Sequence, residues 1–324
     1  GAAWMRHIPD SVSLSTLPNF HVTGTQSSMN GPIFLGGTIV MMQRWDRDTA
    51  ARLIERYSVN TWTNIATMAI DFLSNPSLAD YRLTSLVRIG GGGAAMPEAV
   101  AQRLHDMLGL DYIEGYGLSE TIAPTHINPP DRPKKQCLGI PIFDTESRVV
   151  DPATLAELPQ GEVGEIITSG PQVMMGYWNQ PEATRAALVE IDGKRFLRTG
   201  DLGRIDEEGF VYIEDRAKDM ILRGGENVYC AEVEAAIYEH PAIHEAAVYG
   251  VPDERLGEQV GVSIVVRADH ELNAEQLRSF LGERIAQFKI PHYVSFSDEP
   301  LPRNAAGKFL KRELRDAFVS RLAN

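Results

Sequence analysis

The spacing of apolar residues changes along the chain and divides it into three regions. In the first region, residues 86–89 (LVRI), three of which are apolar, predict a short strand, and a glycine loop follows. Pro97 suits a helix start, and apolar residues recur at helical spacing from Val100 to Met107. The segment DYIEGYG then predicts a strand that runs into a turn. Because this order is that of an α/β layer, we predict one within residues 1–134.

The second region, residues 135–217, contains short runs with strand-like alternation, including GEIITS and RIDEEGFVYIED. The second of these runs predicts a hairpin that turns near Glu208 and Gly209. We therefore predict a small β-subdomain in this region.

The third region, residues 218–324, mixes helical and strand patterns. A helix is predicted from Ala231 to Glu239, and strands are predicted in EAAVYGV and VGVSIVV. Asn273 is a suitable N-cap for a helix that extends to Ile285, and a last helix is predicted from Lys311 to Leu322. The fold class predicted for the whole chain is α/β plus α+β, with a C-terminal α+β domain.

Composition and charge narrow the range of functions. The 324 residues are 43% apolar and 23% charged, which is typical of about two globular domains. The net charge of −13 argues against a nucleic-acid partner, since nucleic-acid-binding domains usually carry a basic face. Two distant cysteines, Cys137 and Cys230, form neither a disulfide framework nor a metal cluster. No apolar run approaches the roughly 18 residues of a membrane span, so we expect a cytoplasmic protein with no transmembrane segment.

Two stretches of the first region could contact a nucleotide. The four glycines 90–93 follow a predicted strand, and glycine lets the backbone approach an anion or a flat ring, although a tight turn explains them equally well. In EGYGLSET, Tyr116 offers a ring for stacking, Ser119 a hydroxyl for a phosphate, and Glu120 an oxygen for Mg²⁺. A polar turn with a core tyrosine is the alternative.

Later stretches carry further candidates, each with an ordinary structural alternative. Asp201 in RTGDLG could accept both hydroxyls of a ribose, or could belong to a turn. Arg216 in DRAKD could reach a phosphate, and the glycines 224–225 could admit a thin ligand, unless they are a linker and a turn. Lys308 in PRNAAGK could reach an α-phosphate, although a single lysine is usually a surface residue. His21 in LPNFHVTG is a lone histidine, and a lone histidine is usually a structural residue.

The order and spacing of these motifs are more specific than any one of them. In the order YGLSE, RTGDLG, DRAKD with RGGENV, and PRNAAGK, the sequence resembles the AMP-forming adenylate superfamily. This superfamily contains acyl-CoA synthetases, peptide-synthetase adenylation domains and luciferases. The resemblance extends from near residue 1 to near residue 320.

The resemblance implies an enzyme that uses ATP, Mg²⁺ and coenzyme A. A carboxylate attacks the α-phosphate of ATP to give an acyl-adenylate and pyrophosphate, and a thiol then displaces AMP to give a thioester. Glu120 would help to hold Mg²⁺, His21 would lie between the acyl pocket and the thiol tunnel, and Lys308 would serve the adenylation step only. The nucleotide contacts implied by the resemblance are Gly91, Gly92, Gly93, Glu114, Gly115, Tyr116, Gly117, Ser119, Asp201 and Arg216.

The resemblance also implies a mobile C-terminal domain. Lys218 matches the position at which this domain is expected to rotate between the two half-reactions. Rotation would withdraw Lys308 and bring Gly224, Gly225 and Glu226 to the thiol tunnel.

The sequence departs from the family at its start. The family's Ser/Thr- and Gly-rich phosphate loop is expected before LPNFHVTG, but the sequence begins only some twenty residues ahead of His21. We therefore expect a C-terminal fragment that lacks the phosphate loop and has little adenylation activity alone. Loss of part of the first layer would expose apolar surface and favour a homo-oligomer.

Three functions stay open at this point. The first is an acyl-CoA synthetase that acts on a fatty or similarly apolar carboxylate. The second is an adenylation domain that loads a carrier protein, and the third is a non-catalytic nucleotide-binding fragment. The intact Glu120, Asp201 and Lys308 favour a parent protein with catalytic activity. The chain length of the acyl group cannot be read from these residues.

Overall fold

The chain divides into two units, Gly1–Ile213 and Glu214–Asn324. The computed structural model describes residue 4 and residues 9–93, 96–122, 124–216, 219–304 and 307–322. The predicted domain boundaries at 134/135 and 217/218 stay predictions, since the second of them falls at residues outside this description.

A seven-stranded sheet forms the base of the first unit. Its strands are β1 (Val12–Ser15), β2 (Thr38–Met41), β3 (Thr61–Asn64), β4 (Arg88–Gly91), β5 (Tyr112–Tyr116), β6 (His126–Ile127) and β7 (Ile140–Pro141). Their order is β2-β1-β3-β4-β5-β6-β7, in which β1 to β5 are parallel and β6 and β7 are antiparallel. The parallel part therefore has the 2-1-3-4-5 order of a doubly wound α/β sheet.

The helices of this sheet connect its parallel strands. They are a π-helical segment (Gly24–Asn30), α1 (Gly31–Leu35), α2 (Arg47–Tyr57), α3 (Ala66–Leu73), a 3-10 turn (Leu78–Asp80) and α4 (Glu98–Leu108). Helix α2 begins where the Asp46 side chain accepts from Thr49 N at 2.7 Å, an N-cap bond. Between these helices and the sheet, Trp62 and Phe72 are fully buried and pack edge to face. Burial of each such side chain contributes roughly 1.5–3 kcal/mol, so this layer is a true core.

The predicted strand at 86–89 lies two residues later, in β4. Both Val87 N and Arg88 N donate to Asn60 O, and the ladder with β3 begins only at the pair Thr61–Arg88. Strand pairing therefore determines where β4 starts, and the apolar run alone does not.

A second sheet completes the first unit. It contains β8 (Glu146–Val150), β9 (Gly164–Ser169), β10 (Leu188–Ile191), β11 (Lys194–Ile205) and β12 (Val211–Arg216), with α5 (Pro181–Ala187) before β10. The order is β10-β11-β9-β8, and β12 pairs with β11. The predicted hairpin is confirmed, because β11 and β12 flank a turn in which Asp206 Oδ1 accepts from Glu208 N and Phe210 N, both at 2.9 Å.

The second unit is an α+β fold, as predicted. Its elements are β13 (Ile221–Arg223), β14 (Glu226–Val228), α6 (Cys230–Tyr238), β15 (Ile243–Asp253), β16 (Gly257–Val266), α7 (Ala274–Gly282), a 3-10 turn (Gln287–Lys289), β17 (Tyr293–Phe296) and α8 (Lys311–Leu322). The sheet order is β14-β13-β16-β15, with β17 parallel to β16. Asn273 caps α7 as expected, in a reciprocal pair of 2.9 Å bonds with Gln276. The helix ends at Gly282, so Ile285 joins the core from beyond it.

No helix in the described ranges is both long enough and apolar enough to cross a lipid bilayer.

Candidate functional site

Several predicted site residues follow the carboxyl ends of parallel strands. Strand β4 ends at Gly91 and β5 at Tyr116, and Gly91 pairs with Glu114 across the two strands. The segment that carries His21 follows β1, which runs in the same direction. Parallel strands place their carboxyl ends at one edge of the sheet, where ligands of α/β folds bind. The site predicted from the motifs therefore begins at a suitable edge.

The glycine run is required by the close approach of neighbouring strands. A Cβ atom on Gly91 would lie 1.8 Å from Asn64 O, and one on Gly92 would lie 2.1 Å from Gly115 O. Neither backbone atom can move without breaking the sheet, so no larger residue fits at these two positions. This packing explains the glycines without a ligand, and their proposed contact with adenine stays a prediction.

Glu114 is buried beneath the end of the glycine loop. Its Oε2 accepts from Met96 N at 3.2 Å, and the backbone N–H groups of Gln136 and Cys137 also donate to the carboxyl. Burial raises the pKa of Glu114 to about 8, against these three hydrogen bonds, which lower it. The carboxyl group is therefore mostly protonated at neutral pH and joins two loops at the edge of the sheet.

Tyr116 and Asp201 form the centre of the candidate site. The Tyr116 hydroxyl donates to Asp201 Oδ2 at 2.5 Å, and both residues are buried. A hydrogen bond from a hydroxyl to a carboxylate is strong and directional, so it fixes the Asp201 side chain. A carboxylate has about four lone-pair positions, and this bond occupies one of them.

An irregularity in β11 presents Asp201. The pairing of β11 with β9 shifts register between Arg198 and Leu202, and Gly200 has φ +69°. Such a bulge re-aims the side chain next to it. The bulge is held by Thr199, whose hydroxyl donates to Ile166 O at 2.6 Å and accepts from Asp201 N at 3.1 Å.

Glu165 supports the same bulge from β9, and sequence reasoning did not identify it. Its Oε1 accepts from Gly200 N at 3.1 Å, and its Oε2 accepts from Arg198 Nη2 at 2.5 Å and Nε at 2.9 Å. The side chain is only 5% exposed. One signal was present, since an acidic residue inside the apolar run GEIITS needs a partner.

Glu120 lies in a 3-10 turn, Ser119–Thr121, that follows β5. Gly117 and Ser119 are exposed there, beyond the end of the strand, and Glu120 is partly buried. Glu120 Oε1 accepts from the Tyr177 hydroxyl at 2.7 Å, and this bond raises the pKa of Tyr177 to about 12. Tyr177 was also missed, because nothing in its sequence context distinguishes it from a surface tyrosine.

Two histidines of the first unit have different environments. His21, a predicted catalytic residue, is partly buried, and its Nδ1 accepts from Thr23 N at 3.3 Å. His126, which the motifs did not indicate, is fully buried with its ring centroid 5.7 Å from that of Tyr116. Burial lowers the pKa of His126 to about 3, so this ring is neutral and packs beside Tyr116.

In the second unit, the glycines 224–225 form the two-residue loop of the β13–β14 hairpin. Their φ angles are +61° and +90°, as a type I′ hairpin turn requires, and Gly224 N donates to Leu256 O at 2.8 Å. Glu226 opens β14 and is exposed. The turn is the structural alternative considered for these glycines, so their role in a thiol tunnel stays a prediction.

The remaining predicted residues lie near the two ends of the second unit. Arg216 is the last residue of β12. Lys308 belongs to a tight loop in which its N–H donates to Asn304 Oδ1 at 3.0 Å and its carbonyl accepts from Asn304 N at 2.9 Å. Lys218, the predicted hinge, lies outside the described residues.

Glu120 suits a magnesium ion that is shared with a bound nucleotide. The described residues contain no group of three or more His, Cys, Asp or Glu side chains that could hold a metal by themselves. Mg²⁺ is commonly held by one or two carboxylates together with substrate phosphates, which does not need such a group. A single oriented carboxylate therefore fits this ion.

Comparison with known proteins agrees with this geometry. The chain matches the model of the AMP-binding enzyme family over residues 2–178, and that of the AMP-binding enzyme C-terminal domain over residues 232–308. It is 40% identical to a long-chain-fatty-acid–CoA ligase of Bacillus subtilis, over 97% of this chain and 56% of that protein. It is 37% identical to a feruloyl-CoA synthase of an Amycolatopsis species, over 95% of this chain and 62% of that protein.

The fold is also similar to that of a solved enzyme. The ATP-bound crystal structure of MatB from Rhodopseudomonas palustris has a TM-score of 0.89 and 31% identity, and the match covers 99% of this chain and 62% of that one. The chain thus spans about 56% to 62% of the length of these proteins. The family model matches more than half of the chain, and the predicted resemblance and fold class are confirmed. This chain belongs to the AMP-binding enzyme family.

Proposed function

We propose that this chain provides the nucleoside-binding and C-terminal parts of an AMP-forming acyl-CoA synthetase. In the proposed reaction, a carboxylate oxygen bonds to the α-phosphorus of ATP, and pyrophosphate leaves with the electrons of the broken P–O bond. The thiol sulfur of coenzyme A then bonds to the acyl carbon, its proton passes to solvent, and AMP leaves. The products of the two steps are an acyl-adenylate and a thioester.

The hydrogen bond between Tyr116 and Asp201 is the observation that carries this proposal. It joins two motifs that are 85 residues apart in sequence and that the resemblance assigns to adenine and to ribose. The ring of Tyr116 would stack on adenine, while Asp201 would accept from the ribose hydroxyls. Because Asp201 is already held by Tyr116 and by the bulge in β11, little conformational entropy would be lost on binding.

The phosphate side of the site would depend on Ser119 and Glu120. A bound Mg²⁺ supplies positive charge that offsets the phosphate oxygens during transfer. The contribution of the chain is the carboxylate of Glu120, which Tyr177 orients through a 2.7 Å hydrogen bond.

The second unit would serve the two half-reactions in turn. Lys308 would place its charge near the α-phosphate during adenylation. Lys218 would be the hinge, and Gly224, Gly225 and Glu226 would line the thiol tunnel in the thioester-forming state. His21 would separate the acyl pocket from this tunnel.

The carboxylate is proposed to be a fatty acid or a similarly apolar acid. The relative of highest identity given above is a long-chain-fatty-acid–CoA ligase, while the feruloyl-CoA synthase makes an aromatic acid a second candidate to test. A carrier protein in place of coenzyme A is the alternative thiol.

The proposal is tested with the full-length protein and a panel of carboxylates. Pyrophosphate release with ATP and Mg²⁺ is measured first without a thiol, and thioester formation is then measured with coenzyme A or with a phosphopantetheinylated carrier protein. We expect turnover with medium or long fatty acids and coenzyme A. Binding of AMP without pyrophosphate release for any acid would support a non-catalytic nucleotide-binding protein instead.

A further inference from the structure

Lys308 lies in a short loop whose two sides are bonded to each other. Leu310 N donates to Pro302 O at 2.9 Å, and Arg303 and Phe309 form an isolated antiparallel bridge. Gly307, with φ +82°, turns the chain immediately before Lys308. The position of the Lys308 backbone therefore depends on what holds this loop to the body of the unit.

Arg303 contacts the loop on both sides of Lys308. Its Nη1 donates to Gly307 O at 2.8 Å, which fixes the peptide group that precedes Lys308. The guanidinium carbon lies 3.9 Å from the centroid of the Phe309 ring, the residue that follows Lys308. A planar guanidinium can make both contacts at once, a hydrogen bond in its plane and a ring on its face.

Glu245 in β15 connects this arginine to the sheet. Its Oε1 accepts from Arg303 Nη2 at 2.8 Å and its Oε2 accepts from Leu301 N at 2.7 Å. The side chains of Arg303 and Glu245 are only 22% and 11% exposed, and Leu301 is buried in a small core with Ala247 and Val265. An ion pair sheltered from water and bonded at both carboxylate oxygens is rigid.

We propose that Arg303 is a positioning residue for Lys308, and that Glu245 holds Arg303 in place. This inference rests on the proposed function, in which Lys308 acts in adenylation only. The path of contacts runs from β15 through Glu245 and Arg303 to the peptide group before Lys308. Without these contacts, Lys308 keeps its charge but loses the fixed backbone position that transition-state stabilisation requires.

The test compares Arg303→Met with wild type in two separate half-reactions of the full-length protein. Adenylation is followed as pyrophosphate release from ATP and dodecanoate without a thiol. Thioester formation is followed from supplied dodecanoyl-AMP and coenzyme A. We expect adenylation to fall at least about ten-fold, because a displacement of about 1 Å can cost 10²-fold, and thioester formation to stay within about two-fold.

The matched control is Arg312→Met, which removes an arginine four residues after Lys308 whose side chain is 87% exposed. It should leave both half-reactions unchanged. Glu245→Gln, which keeps an acceptor for Leu301 N but removes the charge, should lower adenylation in the same direction and by less. It also provides a second test if Arg303→Met does not fold.

Hydrogen exchange separates failure of this inference from failure of the proposed function. In Arg303→Met, the amides of Gly307 and Lys308 should exchange faster than in wild type, whether or not the protein is a ligase. The positioning role would be overturned if Arg303→Met adenylated at the wild-type rate or if both half-reactions fell equally. Unchanged hydrogen exchange at these amides would overturn it as well. Absence of pyrophosphate release by wild type with every acid would instead remove the proposed function.

Discussion

The hydroxyl of Tyr116 donates to the carboxylate of Asp201 at 2.5 Å, and this bond joins the end of β5 to the bulge of β11. Two residues that sequence motifs assign to different parts of a nucleotide are thus parts of one buried hydrogen-bonded unit. The proposed functions of the two residues are separable, since stacking would need the ring and not its hydroxyl, and ribose binding would need the carboxylate and not the ring.

Substitutions at these two residues should therefore have different effects. Tyr116→Phe keeps the ring but leaves a buried carboxylate without this donor, so we expect the free energy of unfolding to fall by about 1–3 kcal/mol. Asp201→Asn removes a charged acceptor for the ribose hydroxyls and should weaken AMP binding by about ten-fold or more. Chemical denaturation and isothermal calorimetry with AMP measure the two effects. Unchanged AMP affinity in Asp201→Asn would contradict the ribose assignment.

Glu114 should make the stability of the first unit depend on pH. Burial raises its pKa from 4.5 to about 8, so the folded state holds a proton that the unfolded state releases above about pH 4.5. Its contribution to stability is thus complete below about pH 4.5 and is lost as pH rises through about 8. The difference in unfolding free energy between wild type and Glu114→Gln should accordingly fall between about pH 5 and 8.

Taking this difference at each pH removes the titration of every other group. Glu98→Gln, which removes an acidic side chain that is 63% exposed, controls for the loss of one carboxyl group from the same unit. A difference between wild type and Glu114→Gln that stays constant from about pH 5 to 9 would mean that Glu114 is not protonated in the folded protein.

Glu165 should determine both the stability of the bulge and the affinity of the site. In Glu165→Ala, Gly200 N loses its acceptor, and Arg198 loses the two hydrogen bonds that it donates to the buried Glu165 carboxylate. Loss of a hydrogen-bonded charged group of this kind costs about 2–3 kcal/mol. Because the bulge presents Asp201, AMP affinity should fall as well, measured by calorimetry at a temperature where the variant is folded.

The control for this variant is Glu157→Gln, since the Glu157 side chain is 61% exposed and its ion pair with Arg148 of β8 is long, at 3.6 Å. Surface pairs contribute at most about 1 kcal/mol, so both stability and AMP affinity should stay close to wild type. If Glu165→Ala lost stability but bound AMP normally, the bulge would be a structural feature without influence on Asp201.

The residues found by sequence reasoning differ physically from those it missed. Tyr116, Asp201 and Lys308 lie in short motifs whose residue types and order are specific, so the sequence alone proposes them as site residues. Glu165 lies outside the motifs, and Arg303 lies inside PRNAAGK but was given no role there, because the partners of these two residues are 33 and 58 residues away in sequence. The pairing of β9 with β11 sets the partner of Glu165, and hydrogen bonds of the Glu245 side chain to Leu301 and Arg303 set the other contact.

The secondary structure follows the same rule. The cap of α7 is predictable, because Asn273 and Gln276 act on one local turn. The start of β4 cannot be predicted in this way, because the pairing with β3 fixes it. The acceptor at that point, Asn60 O, is distant in sequence from β4. The glycines 90–93 have the pattern of a ligand loop, yet three of them, Gly90 to Gly92, are explained by backbone atoms of adjacent strands.

Tyr177 should affect the magnesium dependence of the proposed adenylation reaction and not the affinity for the acid. Its hydroxyl holds one oxygen of Glu120 at 2.7 Å, and groups that orient a metal-binding carboxylate commonly change metal affinity by about 10–100-fold. Tyr177→Phe removes only this hydroxyl from a side chain on the surface, so the fold should be unchanged. We expect the Mg²⁺ concentration at half-maximal pyrophosphate release by the full-length protein to rise about ten-fold, with the KM for the carboxylate unaltered. Tyr57→Phe, at a tyrosine that is 46% exposed on α2, is the matched control. Equal Mg²⁺ dependence in Tyr177→Phe and wild type would show that Glu120 either does not hold the metal or is oriented by other contacts.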